Sequence, residues 1–416
     1  MTGSRGSLAI TLLLLAALCA LAYGPSLSIP LIEDDYPNLW EAHYYGPAAA
    51  LPVLLHNSVF RLRATTYWTM WPLWQLFRTT AWPYHLFSLM LHVFSVWLAY
   101  AVAWLWTRMR PVAFWAAAFF AVAEGHQEAV MWFSAISELY MFLFGAASLA
   151  VWLLACRPGS RWYLRAASAA LFALALISKE SAIVWLPLFL LAAPVNWKSL
   201  WPHAALAAMA VASVAASRSE SFRFSDGSFS LAAPFWFTWP YGVARALGVC
   251  GWLALAALVL FRLSKPALPA LAWIGIALVP YSFLTYSRQI PSRQTYLASF
   301  GVALLAGLAL GRLFAGGRNM RRAAAVVAVA VLLGNIGYLW TKKRSQFLAR
   351  AEPTEELIQL ARQTDGPIWV QCFPRVPYIA QEAVHMAAGR STSTLIWSQA
   401  EAERRTPAAV FCYPDR

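Results

Sequence analysis

LAITLLLLAALCALAYGPSLSIPLIEDDYP, residues 8–37, decides the fold: no charge occurs between Leu8 and Ile32, and then Glu33-Asp34-Asp35 follow at once. A helix needs roughly 20 apolar residues to cross the hydrocarbon core of a bilayer, and this run supplies them. Acids just beyond such a run stand at a membrane face, where charge is costly and therefore marks a candidate site. They are the more notable because the chain holds only 18 Asp+Glu among 416 residues, 60% of them hydrophobic.

Runs of the same kind recur. With a mean hydropathy of +0.55, they divide at charged and Pro/Gly breaks into about eleven spans, near residues 8–29, 83–106, 112–126, 136–156, 165–178, 181–195, 200–217, 236–261, 267–286, 295–311 and 323–341. The fold expected is an all-α polytopic membrane protein. The fifth and sixth spans are short and flank Lys179-Glu180, so one long broken helix is the alternative there.

Basic residues stay on the cytoplasmic side, so Lys and Arg in short loops orient the spans. Arg5, then Arg108 and Arg110, then Arg157, Arg161 and Arg165, then Lys198, then Arg262 and Lys265, then Arg312, Arg318, Arg321 and Arg322 fall on alternate loops. Eleven crossings with the N-terminus cytoplasmic and the C-terminus extracytoplasmic satisfy that alternation. It also favours two crossings at Lys179-Glu180, since one would invert every later loop. The net charge of +14 is spread over these loops rather than gathered on one face, which argues against a nucleic-acid partner. A signal peptide ending near Ala20-Leu21-Ala22 is the competing reading of the first run, and cleavage there would still leave Asp34 outside.

The first outer segment, residues 30–82, has no run long enough to span and is expected to lie along the interface, its Trp68, Trp71 and Trp74 at helical spacing. They form either an aromatic belt or a wall of a lipid-substrate groove. The outer stretch Arg218 to Trp236 reads as a capping loop. From residue 342 to 416 the composition changes. Glu355–Arg362 and Ile379–Ala388 read as helices and Ile368–Phe373 and Ala409–Tyr413 as strands, predicting a small extracytoplasmic α/β appendage after a transmembrane domain of residues 1–341. Of five Cys, Cys19, Cys156 and Cys250 fall in or beside spans, where thiols behave as small apolar groups. Cys372 and Cys412 fall in the tail, where an oxidising compartment permits a disulfide.

The polar clusters map to one face in this topology: Asp34 and Asp35 after span one, His126 and Glu128 after span three, Lys179-Glu180 after span five, and Arg288 and Arg293 before span ten. A carboxylate within hydrogen-bond reach serves as a general base toward a hydroxyl or amine. Arg or Lys beside it neutralises a phosphate leaving with charge. The set suits displacement at a carbon bearing a phosphate. Structural readings compete: Asp34 or Asp35 as a helix cap before Pro37, Lys179-Glu180 as an ion pair, His126 as a hydrogen-bonded side chain, and Arg288 and Arg293 snorkelling to headgroups. His85 and His92 lack a third ligand nearby for a metal site.

In order, Asp34-Asp35, Arg63, Pro72, Pro83-Tyr84-His85 with His92, His126-Gln127-Glu128-Ala129-Val130-Met131-Trp132, Ser178-Lys179-Glu180 and Arg293-Gln294-Thr295-Tyr296-Leu297 resemble the C-type (GT-C) membrane glycosyltransferases. They look most like the branch of protein O-mannosyltransferases and their tetratricopeptide-bearing relatives. The resemblance covers roughly residues 8–310, and departs from the pattern at Glu33 and at Ala64, where the family tends to have Pro. It implies a polyprenyl-phosphate-linked sugar donor and inverting transfer to a glycan, lipid or protein acceptor outside the cytoplasmic membrane, taken to be a bacterial inner membrane from the Ala/Arg/Trp-rich composition. Asp34 would be the base, with Asp35 and Glu33 orienting, Glu128 and His126 on the acceptor side, and Lys179, Arg293, Arg288, Arg63 and Tyr296 toward the donor phosphate. The tetratricopeptide repeats are absent, so a protein acceptor is not inferred. No cofactor is firmly implied; a divalent cation on Asp34 and Asp35 is chemically allowed, but like-charged acids alone do not establish one. A lipid or glycolipid transporter without bond-making chemistry is the alternative function, and a non-catalytic scaffold a third.

Overall fold

The structure, a computed structural model, describes residues 5–56, 58–193, 197–216, 230–260, 264–285 and 289–413. Each of the eleven apolar runs is helical. Six of the helices are long and apolar enough to cross a membrane, among them Trp82–Thr107, Phe235–Leu260 and a run over Arg318–Gln363, and the others are shorter. At Lys179-Glu180 the chain forms two short helices, Trp162–Leu176 and, after a 3-10 turn at Glu180–Val184, Trp185–Ala192. The expected capping loop at 218–236 falls mostly outside the described residues.

Helices in lipid pack by close contact of small residues, since apolar surface alone gives no drive to associate there. Tyr296–Ala315 sits at the centre and is buried along most of its length. A Cβ on its Gly307 would stand 2.5 Å from the Val112 carbonyl oxygen, and one on Gly301 2.7 Å from that of Ala270. The neighbouring helices Arg110–Val122 and Ser264–Leu278 therefore lie backbone-close to it. The peripheral helix Arg318–Tyr338 turns Val326 and Leu333 outward, 68% and 62% exposed, as a lipid-facing surface requires.

After the first span a 3-10 turn, Gly24–Ser28, leads to Glu33, whose φ of 46° is left-handed. Such a conformation is uncommon for a residue other than glycine. The segment to residue 82 then forms four helices, Asp35–Tyr45, Pro47–His56, Ser58–Arg61 and Ala64–Phe77, none long enough to span.

Across 341/342, where a domain boundary is expected, the backbone stays helical. Arg318–Tyr338 runs through a π-helical turn, Leu339–Lys343, into Arg344–Gln363. Beyond lies a parallel sheet of β1 (Ile368–Cys372), β2 (Leu395–Ile396) and β3 (Ala409–Cys412), ordered β2-β1-β3. Ile368 pairs with Leu395 on one side and Ala409 on the other. A small core including Leu357, Ile368, Val384 and Phe411 holds this unit together. Cys372 and Cys412 form a disulfide, their Cα atoms 4.5 Å apart.

Candidate active site

The three consecutive acids have three different environments. Asp35 is fully buried at the start of its helix. Its Oδ2 accepts from the Ile32 N–H at 2.9 Å, and its Oδ1 accepts from the Ser134 N–H at 2.7 Å and the Ser134 hydroxyl at 2.6 Å. Burial outweighs these donors and raises the carboxyl to about 7. Glu33 accepts from Arg350 through Nε at 3.1 Å and Nη2 at 2.5 Å, and from Arg375 Nε at 2.7 Å. Burial raises the Glu33 carboxyl, but Arg350 and then Arg375 more than offset it and hold it below the usual range.

Asp34, between them, is half-buried, and among the described residues its carboxylate has no hydrogen-bond or ion-pair partner. It stands at the N-cap of Asp35–Tyr45 without making a side-chain cap bond, so the helix-cap reading does not describe it. Its carboxyl is raised, first by burial and then by the Glu33 charge, against the opposing pull of Arg293 and Arg350. Both of its chain neighbours are tied down while Asp34 is left open.

Arg293 and Arg350 meet on one ring. Their guanidinium carbons lie 5.0 and 4.7 Å from the Trp132 centroid, within cation–π range. Glu128 accepts from the Arg293 N–H at 3.1 Å, and the two guanidiniums approach it to 3.8 and 4.0 Å. Glu33, Asp34, Glu128 and Arg293 thus gather at one place, with Arg350 and Arg375 delivered by the tail.

Other expected residues stand apart from this group. Lys179 Nζ bonds Glu138 Oε1 at 2.6 Å, and Arg63 pairs with Glu180 at 2.8 Å while donating to Ser137 at 3.0 Å. Both cations expected to hold a phosphate are already taken by carboxylates. Tyr296 and His126 are fully buried. The Tyr296 hydroxyl meets His92 Nδ1 at 2.7 Å, and His126 Nε2 meets Ser299 Oγ at 2.5 Å. Both pack among buried side chains, and these bonds tie them to His92 and Ser299 rather than to the Asp34 group. Arg288 lies outside the described residues. No cluster of three His, Cys, Asp or Glu fit to hold a metal occurs among the described residues, and the Asp35 oxygens already accept three bonds.

Trp132, Ser134, Glu138, Arg350 and Arg375 were not among the expected site residues. Glu138 carried a readable signal, as an acid inside the apolar helix Ile136–Ala155. Arg350 and Arg375 carried none, because their partner Glu33 is 317 and 342 residues away.

No family model matches the chain, and no curated protein does. Solved structures do. ArnT from Cupriavidus metallidurans bound to undecaprenyl phosphate superposes with a TM-score of 0.59 at 14% identity, over 98% of this chain and 90% of that one. Its apo form gives 0.55 at 14%, over 96% and 89%. The archaeal oligosaccharyltransferase AglB from Archaeoglobus fulgidus, in complex with an inhibitory peptide and a dolichol-phosphate, gives 0.57 at 11%, over 95% of this chain and 65% of that one. These neighbours are GT-C glycosyltransferases, and the chain has their polytopic membrane fold.

Proposed function

We propose that the chain is a membrane glycosyltransferase that moves a sugar from a polyprenyl-phosphate-linked donor to an acceptor hydroxyl or amine on the extracytoplasmic side. In this reading the N-terminus is cytoplasmic, and the order of motifs looks most like that of the O-mannosyltransferase branch. The observation that carries the proposal is Asp34: an unpaired carboxylate between two anchored acids, with the charges of Arg293 and Arg350 acting on it. The fold neighbours, one bound to undecaprenyl phosphate and one in complex with a dolichol-phosphate, support the donor class.

The chemistry follows from those groups. Asp34 takes the acceptor's proton as the acceptor atom bonds to the anomeric carbon. The bond from that carbon to the phosphate oxygen breaks, and the phosphate leaves with the electron pair. Among the described residues Arg293, whose guanidinium stands 3.8 Å from Glu128, is the cation assigned in this reading to that phosphate. A single displacement inverts the anomeric centre. Burial makes Asp34 a stronger base than an exposed aspartate, provided it is ionised.

The test is transfer from a radiolabelled polyprenyl-phosphate sugar by the purified full chain. Removing a general base costs about 10²- to 10⁴-fold, so Asp34→Asn should fall by that much with unchanged insertion. Full transfer by Asp34→Asn would sink the proposal.

A further inference from the structure

One end of the tail sheet is tied directly to the acids after the first span. Beyond β1 the chain runs four residues, Phe373 to Val376, before the helix Pro377–Ala388 begins, and Arg375 in that connection donates to Glu33 Oε1 at 2.7 Å. Arg350 grips the same carboxylate, but from Arg344–Gln363, which continues out of the last span. The two grips therefore have different anchors. Arg350 depends on the spans, and Arg375 on the carboxyl end of β1.

That end is weakly held by the sheet itself. β2 pairs with β1 at Ile368 and Trp369, and β3 pairs from Ile368 to Val370 before the register shifts between Val370 and Cys372. Such an irregularity interrupts the ladder locally. Past it, Cys372 is joined to β3 by the Tyr413 N–H, which donates to its carbonyl at 3.0 Å, and by the disulfide to Cys412. Cys412 is exposed and Cys372 partly so, and accessible disulfides are the ones most open to reduction.

Glu33 needs a hold of this kind. Its φ of 46° is left-handed, and a residue other than glycine stays there where its surroundings over-determine it. Among the described residues its charged partners are Arg350 and Arg375. Asp34 is next in the chain, so a turn that relaxes at Glu33 displaces Asp34.

We propose that the Cys372–Cys412 bond is a redox-sensitive clamp on the turn that carries Asp34: closed, it sets Arg375 on Glu33; opened by an external dithiol, it releases that grip and residues 33–36 loosen. One thiolate of the dithiol attacks a cysteine sulfur and the second thiol resolves the mixed disulfide. Two electrons and two protons pass to the cysteines as the dithiol becomes a disulfide. Val370 and Phe411 stay in the tail core, so the end of β1 is freed with the sheet in place. Arg375 is a positioning residue, acting on Asp34 through Glu33. Its effect on transfer rests on the reading of Asp34 as the base, whereas the clamp does not.

The experiment is hydrogen–deuterium exchange mass spectrometry of the purified full chain before and after reduction by dithiothreitol. The amides of Asp35 and Tyr36 donate to the Ile32 and Glu33 carbonyls across this turn. Reduction should speed their exchange about two- to fivefold, the scale of a partly exposed ion pair. Arg375→Gln should give the same rise with the disulfide closed, reduction should then add nothing, and Arg375→Lys should restore much of the protection. Cys372→Ser with Cys412→Ser should exchange like the reduced chain and ignore dithiothreitol. A role confined to the tail predicts otherwise: exchange rising in β1 and β3 but unchanged at 33–36, or reduction loosening that turn as much in Arg375→Gln as in the wild type. Either result would overturn the inference. If reduction unfolds the tail, Arg375→Gln in the oxidised chain decides, and unchanged exchange at 33–36 there overturns it equally. Transfer measured on the same samples should fall with the rise in exchange; faster exchange with unaltered transfer would keep the clamp and count against Asp34 as the base.

Discussion

Asp34 and Asp35 are the same side chain at adjacent positions, so their contrast isolates environment from chemistry. Asp35 accepts from two backbone N–H groups and a hydroxyl, and the amide of Asp35→Asn has one oxygen with which to accept from them. A buried N–H left facing an NH₂ group costs about 1–3 kcal/mol, so thermal unfolding in detergent should show that loss in Asp35→Asn, while Asp34→Asn melts as wild type and loses transfer. The opposite pattern would exchange the two roles. Because the Asp35 carboxyl is raised to about 7 from 3.8, the native state holds its proton more tightly than the unfolded chain does. Its contribution to stability is present below pH 3.8 and is lost as pH rises through about 7. The acid limb of transfer reports Asp34 instead. Glu33 raises Asp34 and Arg350 lowers it, so Glu33→Gln should move the limb to lower pH and Arg350→Gln to higher pH. A limb that moves with neither variant would separate Asp34 from the rate.

The helices were legible because a bilayer imposes their length: each apolar run read from the sequence is a helix, including the two short ones at Lys179-Glu180. In the tail, β1 and β3 were legible as apolar runs, whereas β2, two residues long, is too short to show a pattern. The site was legible only in its local part. That acids cluster after the first span is written in one stretch; that Ser134 fixes Asp35 across 99 residues and Arg350 fixes Glu33 across 317 is not. Lys179 was assigned to a phosphate by the family resemblance, and the partner it has, Glu138, lies 41 residues earlier inside an apolar helix. What composition also conceals is how closely helices approach. At Gly307 the Val112 carbonyl and the Ala116 backbone nitrogen leave no room for a side chain, at 2.5 and 3.0 Å from a Cβ. Gly307→Leu should therefore push Arg110–Val122 away and lower stability by about 1–3 kcal/mol or more, read as a lower melting temperature by fluorescence-detected gel filtration. Gly334→Leu, where a Cβ meets open space, should change it little.

The tail and the first outer segment form one assembly, because Arg350 and Arg375 both grip Glu33 and the helix carrying Arg350 continues out of the last span. Whichever face bears the tail must therefore bear Asp34, a conclusion independent of loop charge. In the proposed topology loop charge predicts that this face is the outside, and a disulfide in the tail would suit an outside location, since oxidising compartments preserve such bonds. The two lines of reasoning can be tested by one labelling experiment. Intact cells treated with a membrane-impermeant phosphine and then an impermeant maleimide should label Cys372 and Cys412, while Cys19, buried within the first helix, stays unlabelled. A Cys372→Ser, Cys412→Ser chain should remain unlabelled under the same treatment. If the tail thiols react only after lysis, the tail faces the cytoplasm, and Asp34 moves there with it. A donor displayed on the outer leaflet would then be out of reach, and the proposed direction of transfer would fail even with every distance around Asp34 unchanged.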